Sequence, residues 1–275
     1  MTEPRTALDA IGLLPDTEID IGNAALQLAR VDAPDADWQA AHVQLSDLAR
    51  HAVDLARSLR TADVSLRAEA LAGLIAGRHA YAGDLETYDD LANANLIRVI
   101  ERRRGLPVAL GVLWLHAARA AGWECHGVDF PAHFLIALEE GSKQVVLDVF
   151  HGGTVMSAKD LRALLRRIEG PDAELRPGLL KPMNTRRVLL RLQNNIMTRR
   201  LQGGDIEGGL SCTEDMLRIA PDQAELWRQS GVLNQKLHRV AAATSCYGRF
   251  LELIPEGGAA DAVRAQIAVL KSMLN

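Results

Sequence analysis

Apolar residues recur at three- and four-residue spacing through most of the chain, which predicts helices over 22–31, 35–60 and 63–80. In WQAAHVQLSDLARHAVDLARSL, from Trp38 on, the stripe is clear, and Asp35 or Asp37 stands where a helix takes its side-chain cap. The polar stretch YAGDLETYDD separates these from a helix running from about Asp90 to Arg104 and stopped by Gly105. The next segment, LPVALGVLWLHAARAA (106–121), is apolar almost all round and reads as a buried helix. Pro107 suits its first turn, where a missing backbone N–H leaves nothing unsatisfied. The period then changes. ECHGVDF (124–130), HFLIAL (133–138) and QVVLDVF (144–150) are short, rich in aliphatic and β-branched residues and bounded by turn formers, so three strands are expected. Helical spacing returns in SAKDLRALLRRIEG, and the Pro/Gly-rich PDAELRPGLLKPMN places a domain boundary near 177–184.

The break between the second and third strands is EEGS. With Glu140 and Gly141 as the two loop residues of a hairpin, Glu139 faces Ser142 and, further along, His133 faces Asp148. Directly opposed residues have Cβ atoms roughly 4.5–5.5 Å apart, so the turn predicts an imidazole held by a carboxylate. The expectation is sensitive to register, because a slip of one residue sends a side chain to the other face of the sheet.

Beyond the boundary, Pro221 and Pro255 each close a helix, ending MLRIA or FLELI, and stand about 34 residues apart, the period of the tetratricopeptide repeat. The second copy has Trp227, Gly231, Ala243, Tyr247 and Pro255 at the expected relative places. The first keeps Pro221 and a few apolar positions, and Gly208-Gly209 predict a weakened second helix. Two copies leave apolar ends uncovered. AADAVRAQIAVLKSML therefore reads as a capping helix, with the preceding domain as the buttress at the other end.

Composition narrows the function classes. A chain of 275 residues suggests one larger and one smaller unit, and 48% apolar with 24% charged residues is ordinary globular material. A net charge of −4 and a pI near 6.1 deny it the bulk positive field of sequence-independent nucleic-acid binders, so no nucleic-acid partner is expected. MTEPRTALDAIGLLPDTEIDIG has no basic segment leading into an apolar one, and the longest apolar or glycine run, GLPVALGVLWL (105–115), is too short to span a bilayer. The expectation is a cytoplasmic protein without a membrane partner. Cys125, Cys212 and Cys246 lack CxxC spacing and read as three reduced thiols.

GLP at the entry to the buried helix, FPAHFL on one strand, LDVFHGG closing the next, and LLRLQNNI leading into paired repeats occur in this order. The set resembles the bacterial SirB family, whose members join a transglutaminase-like domain to tetratricopeptide repeats, and the resemblance covers roughly residues 40–275. It implies an α+β fold. A leader at 1–34 would precede a mostly helical, papain-like domain with a small antiparallel sheet at 35–182, and an all-α repeat domain would occupy 183–275. At 93–96 the chain has NANL, where the family favours a serine second. Active transglutaminase-like enzymes place a cysteine at the N-terminus of a buried helix, a histidine on one strand and an aspartate on the next. His133 and Asp148 match the last two. Counting back from ARAAG (118–122), the cysteine position falls on Pro107 within about a residue, and none of Leu106, Pro107, Val108 and Ala109 is a nucleophile. Acyl transfer needs a thiolate or alkoxide beside its base, so the resemblance implies a relict dyad in a pseudoenzyme.

Cys125, on the preceding strand, is the replacement nucleophile to weigh, against the ordinary role of a lone cysteine as a core residue. Cys125, His126, His133, Asp148 and His151 are acceptable metal-ligand types, but they match no compact zinc motif, and adjacent strand residues 125 and 126 point to opposite faces. No metal or other cofactor is expected. FHGG (150–153) has no accompanying G-x-S-x-G serine and reads as a strand-ending turn, while GGDIEGG (203–209) fails the order of a phosphate loop. ERRRG (101–105) closes a helix where the dipole favours cations. LRALLRRI (161–168) and Arg186, Arg187, Arg191, Arg199 and Arg200 read as solvated faces, an anionic partner being the other reading.

Two functions from different classes fit these residues. In one, a non-enzymatic interaction or regulatory protein uses the relict domain as a scaffold and the repeats as a groove for a protein partner. Arg191, Asn194, Asn195 and Arg228 are then the contact surface, unless Asn194 and Asn195 anchor the repeats instead. In the other, a hydrolase or acyltransferase of altered mechanism uses His133 as base and Asp148 to orient it, with water or Cys125 attacking. Fold alone does not choose between them.

Overall fold

The computed structural model describes residues 3–59 and 62–272 and divides the chain into two compact units. One comprises residues 15–192; the other joins the residues up to Leu14 to those from Gln193 onward. The segment 1–34 is therefore no separate leader. Its first helix, α1 (Pro4–Leu13), belongs with the repeats: Leu8 is fully buried, and Arg5 Nε donates to the buried Asp215 Oδ1 at 2.9 Å.

In the unit 15–192, α2 (Ile21–Asp32), α3 (Trp38–Ser58) and α4 (Val64–Ala72) each start at an aspartate. Asp20, Asp37 and Asp63 accept from the backbone N–H groups of Asn23, Ala40 and Leu66, satisfying donors that a helix start leaves open. The helix expected over 63–80 does not run through. After α4 it widens into a π-helical turn, Gly73–Arg78, at a segment holding Gly73 and Gly77. Strand β1 (Ala82–Gly83) follows, then α5 (Leu96–Arg102) and β2 (Arg104–Gly105), which pairs in parallel with β1. The helix expected from Asp90 is shorter because Asp90 caps a 3₁₀ turn, Leu91–Asn93, and Asn95 then starts α5 afresh.

The buried helix is α6 (Pro107–Ala120), opened by Pro107 as read. Beside it lie β3 (Glu124–Phe130), β4 (His133–Glu140), β5 (Lys143–Asp148), β6 (Thr154–Val155) and β7 (Pro182–Met183), an antiparallel sheet in the order β6-β5-β4-β3-β7. β6 and β7 are two residues each, too short to show an alternation. Central β4 is buried on both faces, which explains its unbroken apolar run. Leu135 and Ala137 pack with Leu161, Leu164 and Leu165 of α7 (Ala158–Glu169), and Phe134 packs on α6 at Gly111. A Cβ at Gly111 would stand 2.2 Å from Phe134 Cε1, and the ring is too buried to swing away. Alanine gains about 1 kcal/mol of helix propensity there but overpacks by about 1–3 kcal/mol. Gly111→Ala is expected to lower stability by about 1 kcal/mol, read from the denaturant midpoint.

The β4–β5 loop corrects the expected register. Glu140 faces Lys143 and Ile136 faces Leu147, so the loop is Gly141-Ser142 rather than Glu140-Gly141. Gly141, at φ +59°, occupies the first loop position, which a type II′ hairpin reserves for glycine. The pairing has thus slipped by two residues, and an even slip keeps each side chain on its own face. His133 and Asp148 become diagonal neighbours instead of opposed ones.

α8 (Thr185–Gln202) contains the division between the units, after Leu192 and not at 177–184. The Pro/Gly-rich stretch is held within the first unit, since β7 pairs with β3 and Leu179 joins the core under α7. Asp16 caps α8 from far away in sequence, its carboxylate accepting from the N–H groups of Thr185 and Arg186 at 2.9 Å each. In the other unit follow α9 (Ile206–Ile219), α10 (Ala224–Lys236), α11 (Val240–Leu253) and α12 (Gly258–Ser272), the capping helix. Residues 273 and 274 of the predicted cap lie outside the described residues. Ala243, Tyr247 and Phe250 are buried with Val263 of α12, and Trp227 packs against them. α9 forms with both glycines in its first turn. Asp205 caps it through Gly208 N–H at 2.8 Å, and Gly209 lets Leu201 come within 2.3 Å of where a Cβ would stand. Among the described residues no helix is long and apolar enough to cross a membrane.

Candidate functional site

Asp148 ends β5 and is 5% exposed. Its Oδ2 accepts from His133 Nε2 at 3.1 Å and from His151 Nδ1 at 2.9 Å. Its Oδ1 accepts from the backbone N–H groups of Phe150 at 3.0 Å and His151 at 3.3 Å. Burial pushes this carboxyl up, but the hydrogen bonds and charges of the two imidazoles outweigh it and hold the group at about 2. An ionised carboxylate only accepts, so both ring nitrogens that face it carry protons. The neutral form of His133 is thereby set in the tautomer that leaves Nδ1 with a lone pair.

His151 entered the sequence reading only as a metal-ligand type. The missing signal is the strand-ending turn: a carboxylate that caps the N–H groups two and three residues on draws the third residue back onto itself. Among the described residues no group of three or more His, Cys, Asp or Glu side chains is arranged to hold a metal ion.

Cys125 cannot serve His133. It pairs with Leu138, whereas His133 pairs with Phe130, and five strand residues span roughly 17 Å. Burial also raises its thiol to about 11, against the lowered pKa of a nucleophilic cysteine. Pro107 stands at the start of α6, where Leu106, Val108 and Ala109 are buried as well. α6 runs in the same direction as β4. Gly111 meets Phe134, and one turn later the Leu115 carbonyl lies 3.8 Å from the thiol of Cys125, whose strand partner is Leu138. The first turn of α6 thus lies at the His133 end of β4. In NANL, the Asn93 carbonyl accepts from Leu106 N–H at 2.8 Å, and Ala94 is fully buried.

Arg191 is not part of a repeat surface. Its Nη2 donates to the His133 carbonyl at 2.8 Å, its Nη1 pairs with Asp129, and its guanidinium carbon stands 5.7 Å from the Phe134 ring centroid. It fastens the strand end that carries His133. Arg191→Ala is expected to lower stability by about 2 kcal/mol in urea denaturation, and Arg191→Lys not to restore it, since an ammonium lacks the planar fork. Of the other contact candidates, Asn194 is exposed, Asn195 Oδ1 accepts from Arg199 Nη1 at 3.3 Å, and Arg228 Nε donates to Glu225 Oε2 at 2.9 Å. Arg228 also lines a groove of about 530 Å³ with Lys236, Tyr247, Val263 and Gln266.

A family model described as the transglutaminase-like superfamily matches residues 39–194, and one described as the tetratricopeptide repeat matches 198–268. A UPF0162 protein of Vibrio cholerae is 30% identical over 92% of this chain and 93% of its own length. A UPF0162 protein of Xylella fastidiosa is 28% identical over 96% and 94%. Protein SirB1 of Salmonella typhimurium is 24% identical over 62% and 64%. With its buried central helix, a histidine and an aspartate on adjacent strands, and repeats at its C-terminal end, this chain belongs to the transglutaminase-like superfamily, among the SirB-like proteins that carry tetratricopeptide repeats.

Proposed function

We propose that this chain is a non-enzymatic interaction or regulatory protein, with the transglutaminase-like unit as scaffold and the repeats as the surface for a protein partner. The observation that carries this reading is the start of α6. Proline stands where the resemblance puts the cysteine, and the thiol on the sheet, Cys125, is distant in register and held protonated. Without a nucleophile, the His133–Asp148–His151 cluster still fastens the end of β4 to the turn after β5. Asn194, Asn195 and Arg228 remain the candidates for partner contact, since polar side chains on repeat helices are what such arrays offer to peptides.

The test is acyl chemistry. Hydrolysis of an activated acyl ester and ammonia release from a glutamine-bearing peptide are expected at the same background rate for the native chain and His133→Ala. Turnover that is roughly tenfold above background and vanishes in His133→Ala overturns the reading. It would favour a second one, hydrolysis by an activated water, for which the His133 tautomer speaks. Nε2 is bound to Asp148, Nδ1 is left to take a proton from water, and the carboxylate stabilises the resulting imidazolium.

A further inference from the structure

The arginine run of ERRRG divides in the structure. Arg102 pairs with Asp84 at 3.0 Å and Asp90 at 3.4 Å, an ordinary ion-pair network. Arg103 and Arg104 instead donate to backbone carbonyls: Arg103 Nη1 to His79 O at 2.5 Å, Arg104 Nη1 to Ala80 O at 3.2 Å and to Arg103 O at 2.9 Å. Arg78, at the end of the π-helical turn, bonds His51 Nε2 at 2.9 Å, and His51 Nδ1 bonds His79 Nε2 at 3.0 Å. Three exposed guanidiniums therefore meet at one corner with only neutral acceptors, unpaired with any carboxylate among the described residues. Two residues of this corner, Ala80 and Arg103, hold left-handed backbone at φ +57°, which non-glycine residues adopt at a cost and which clusters at functional sites.

The hydrogen-bond directions follow from the donors. A guanidinium only donates, so His51 Nε2 accepts, His51 Nδ1 carries the proton and donates to His79 Nε2, and both imidazoles are neutral. His79 is faced by His51 and Asp47 from α3, by Arg78 from the π-helical turn, by Arg103 after α5, and by the stacked ring of Tyr81. Burial first, and then His51, Arg78 and Arg103, hold its pKa below the ordinary imidazole value.

We propose that Arg78, Arg103 and Arg104 form a binding site for the dianionic phosphate group of a small phosphorylated molecule. Three uncompensated cations exceed what one carboxylate neutralises, and a phosphate offers three acceptor oxygens that planar guanidiniums match bidentately. An anion that takes over Arg78 frees His51 Nε2. The anion accepts from Arg78, Arg103 and Arg104, while His51 Nδ1 keeps its bond to His79.

Calorimetric titration of the full chain with inorganic phosphate and with phenyl phosphate tests this. Both ligands are expected to bind, with Arg78→Gln and Arg104→Gln each weakening affinity about tenfold, while Arg167→Gln on α7 leaves it unchanged. Circular dichroism melts of the variants check that they fold. Absence of binding at millimolar ligand, or equal weakening by Arg167→Gln, overturns the site. Binding of inorganic phosphate alone shows that it rejects esters, and a phosphoserine peptide bound tenfold tighter than phenyl phosphate shows a protein ligand; either result overturns the small-ester assignment.

Discussion

Asp148→Ala is expected to lower the stability of the folded chain at neutral pH by about 3–5 kcal/mol, the range seen when one partner of a buried charged pair is removed. The carboxylate accepts four hydrogen bonds, from two imidazoles and two backbone N–H groups, and alanine removes the acceptor of the buried Phe150 N–H and of the largely buried His133 ring, while the exposed His151 ring turns to water. Part of this stabilisation depends on pH, and its sign follows from the direction of the shift. The folded carboxyl is held at about 2, below its ordinary 3.8, so folding favours the deprotonated form. The contribution is fully present above about pH 4 and is lost as the pH falls through about 2. A shift of nearly two units corresponds to about 2 kcal/mol. Urea denaturation at pH 7, 4 and 2.5 should therefore show native chain and variant converging only in the most acid sample. A difference that stays constant down to pH 2.5 would show that Asp148 acts by packing and not by charge.

Pro107→Cys is the other large effect, expected in reactivity. The substitution puts a thiol at the first position of α6, where the helix dipole favours a thiolate, and at the His133 end of β4. Hydrogen bonds connect the same place to the site by another route. The Gly105 carbonyl accepts from Asp84 N–H, Gly83 N–H donates to the Phe150 carbonyl, and Phe150 N–H donates to Asp148. An unperturbed thiol near pKa 8.5 is about 3% ionised at pH 7, and one brought to about 7 is half ionised, so alkylation should be at least about tenfold faster than at Cys246, whose pKa burial raises, or at the buried Cys212. Peptide mapping after timed iodoacetamide treatment reads each cysteine separately. Adding His133→Ala should remove most of the acceleration. An introduced cysteine that reacts no faster than Cys246 would place the lost nucleophile elsewhere.

Read as sequence, the chain showed its central elements where side-chain periodicity is strong. α6, the three main strands and the repeat positions Trp227, Ala243 and Tyr247 were legible because burial on one or all sides imposes composition directly on the chain. A local cap was legible too, since Asp37, one of the two candidates, acts within three residues of itself. The departures have a common cause. The π-helical turn at Gly73–Arg78, the two-residue strands β6 and β7, and the assignment of α1 to the repeats depend on what packs against them, and no short window contains that information.

The candidate site divides in the same way. The sequence determined that a histidine and an aspartate would share one sheet face, and it did so even with the loop misplaced by one residue, because the resulting two-residue slip preserves the strand's alternation. It also determined that no thiol or hydroxyl occupies the start of α6. Only the tertiary structure decided that His151 would share the carboxylate, that Arg191 would be spent on the His133 carbonyl instead of a partner surface, and that Cys125 would lie far along the strand from the imidazole. Asp16 capping α8 is the plainest case. A hydrogen bond acts over about 3 Å of space, and sequence separation places no limit on which residues come that close.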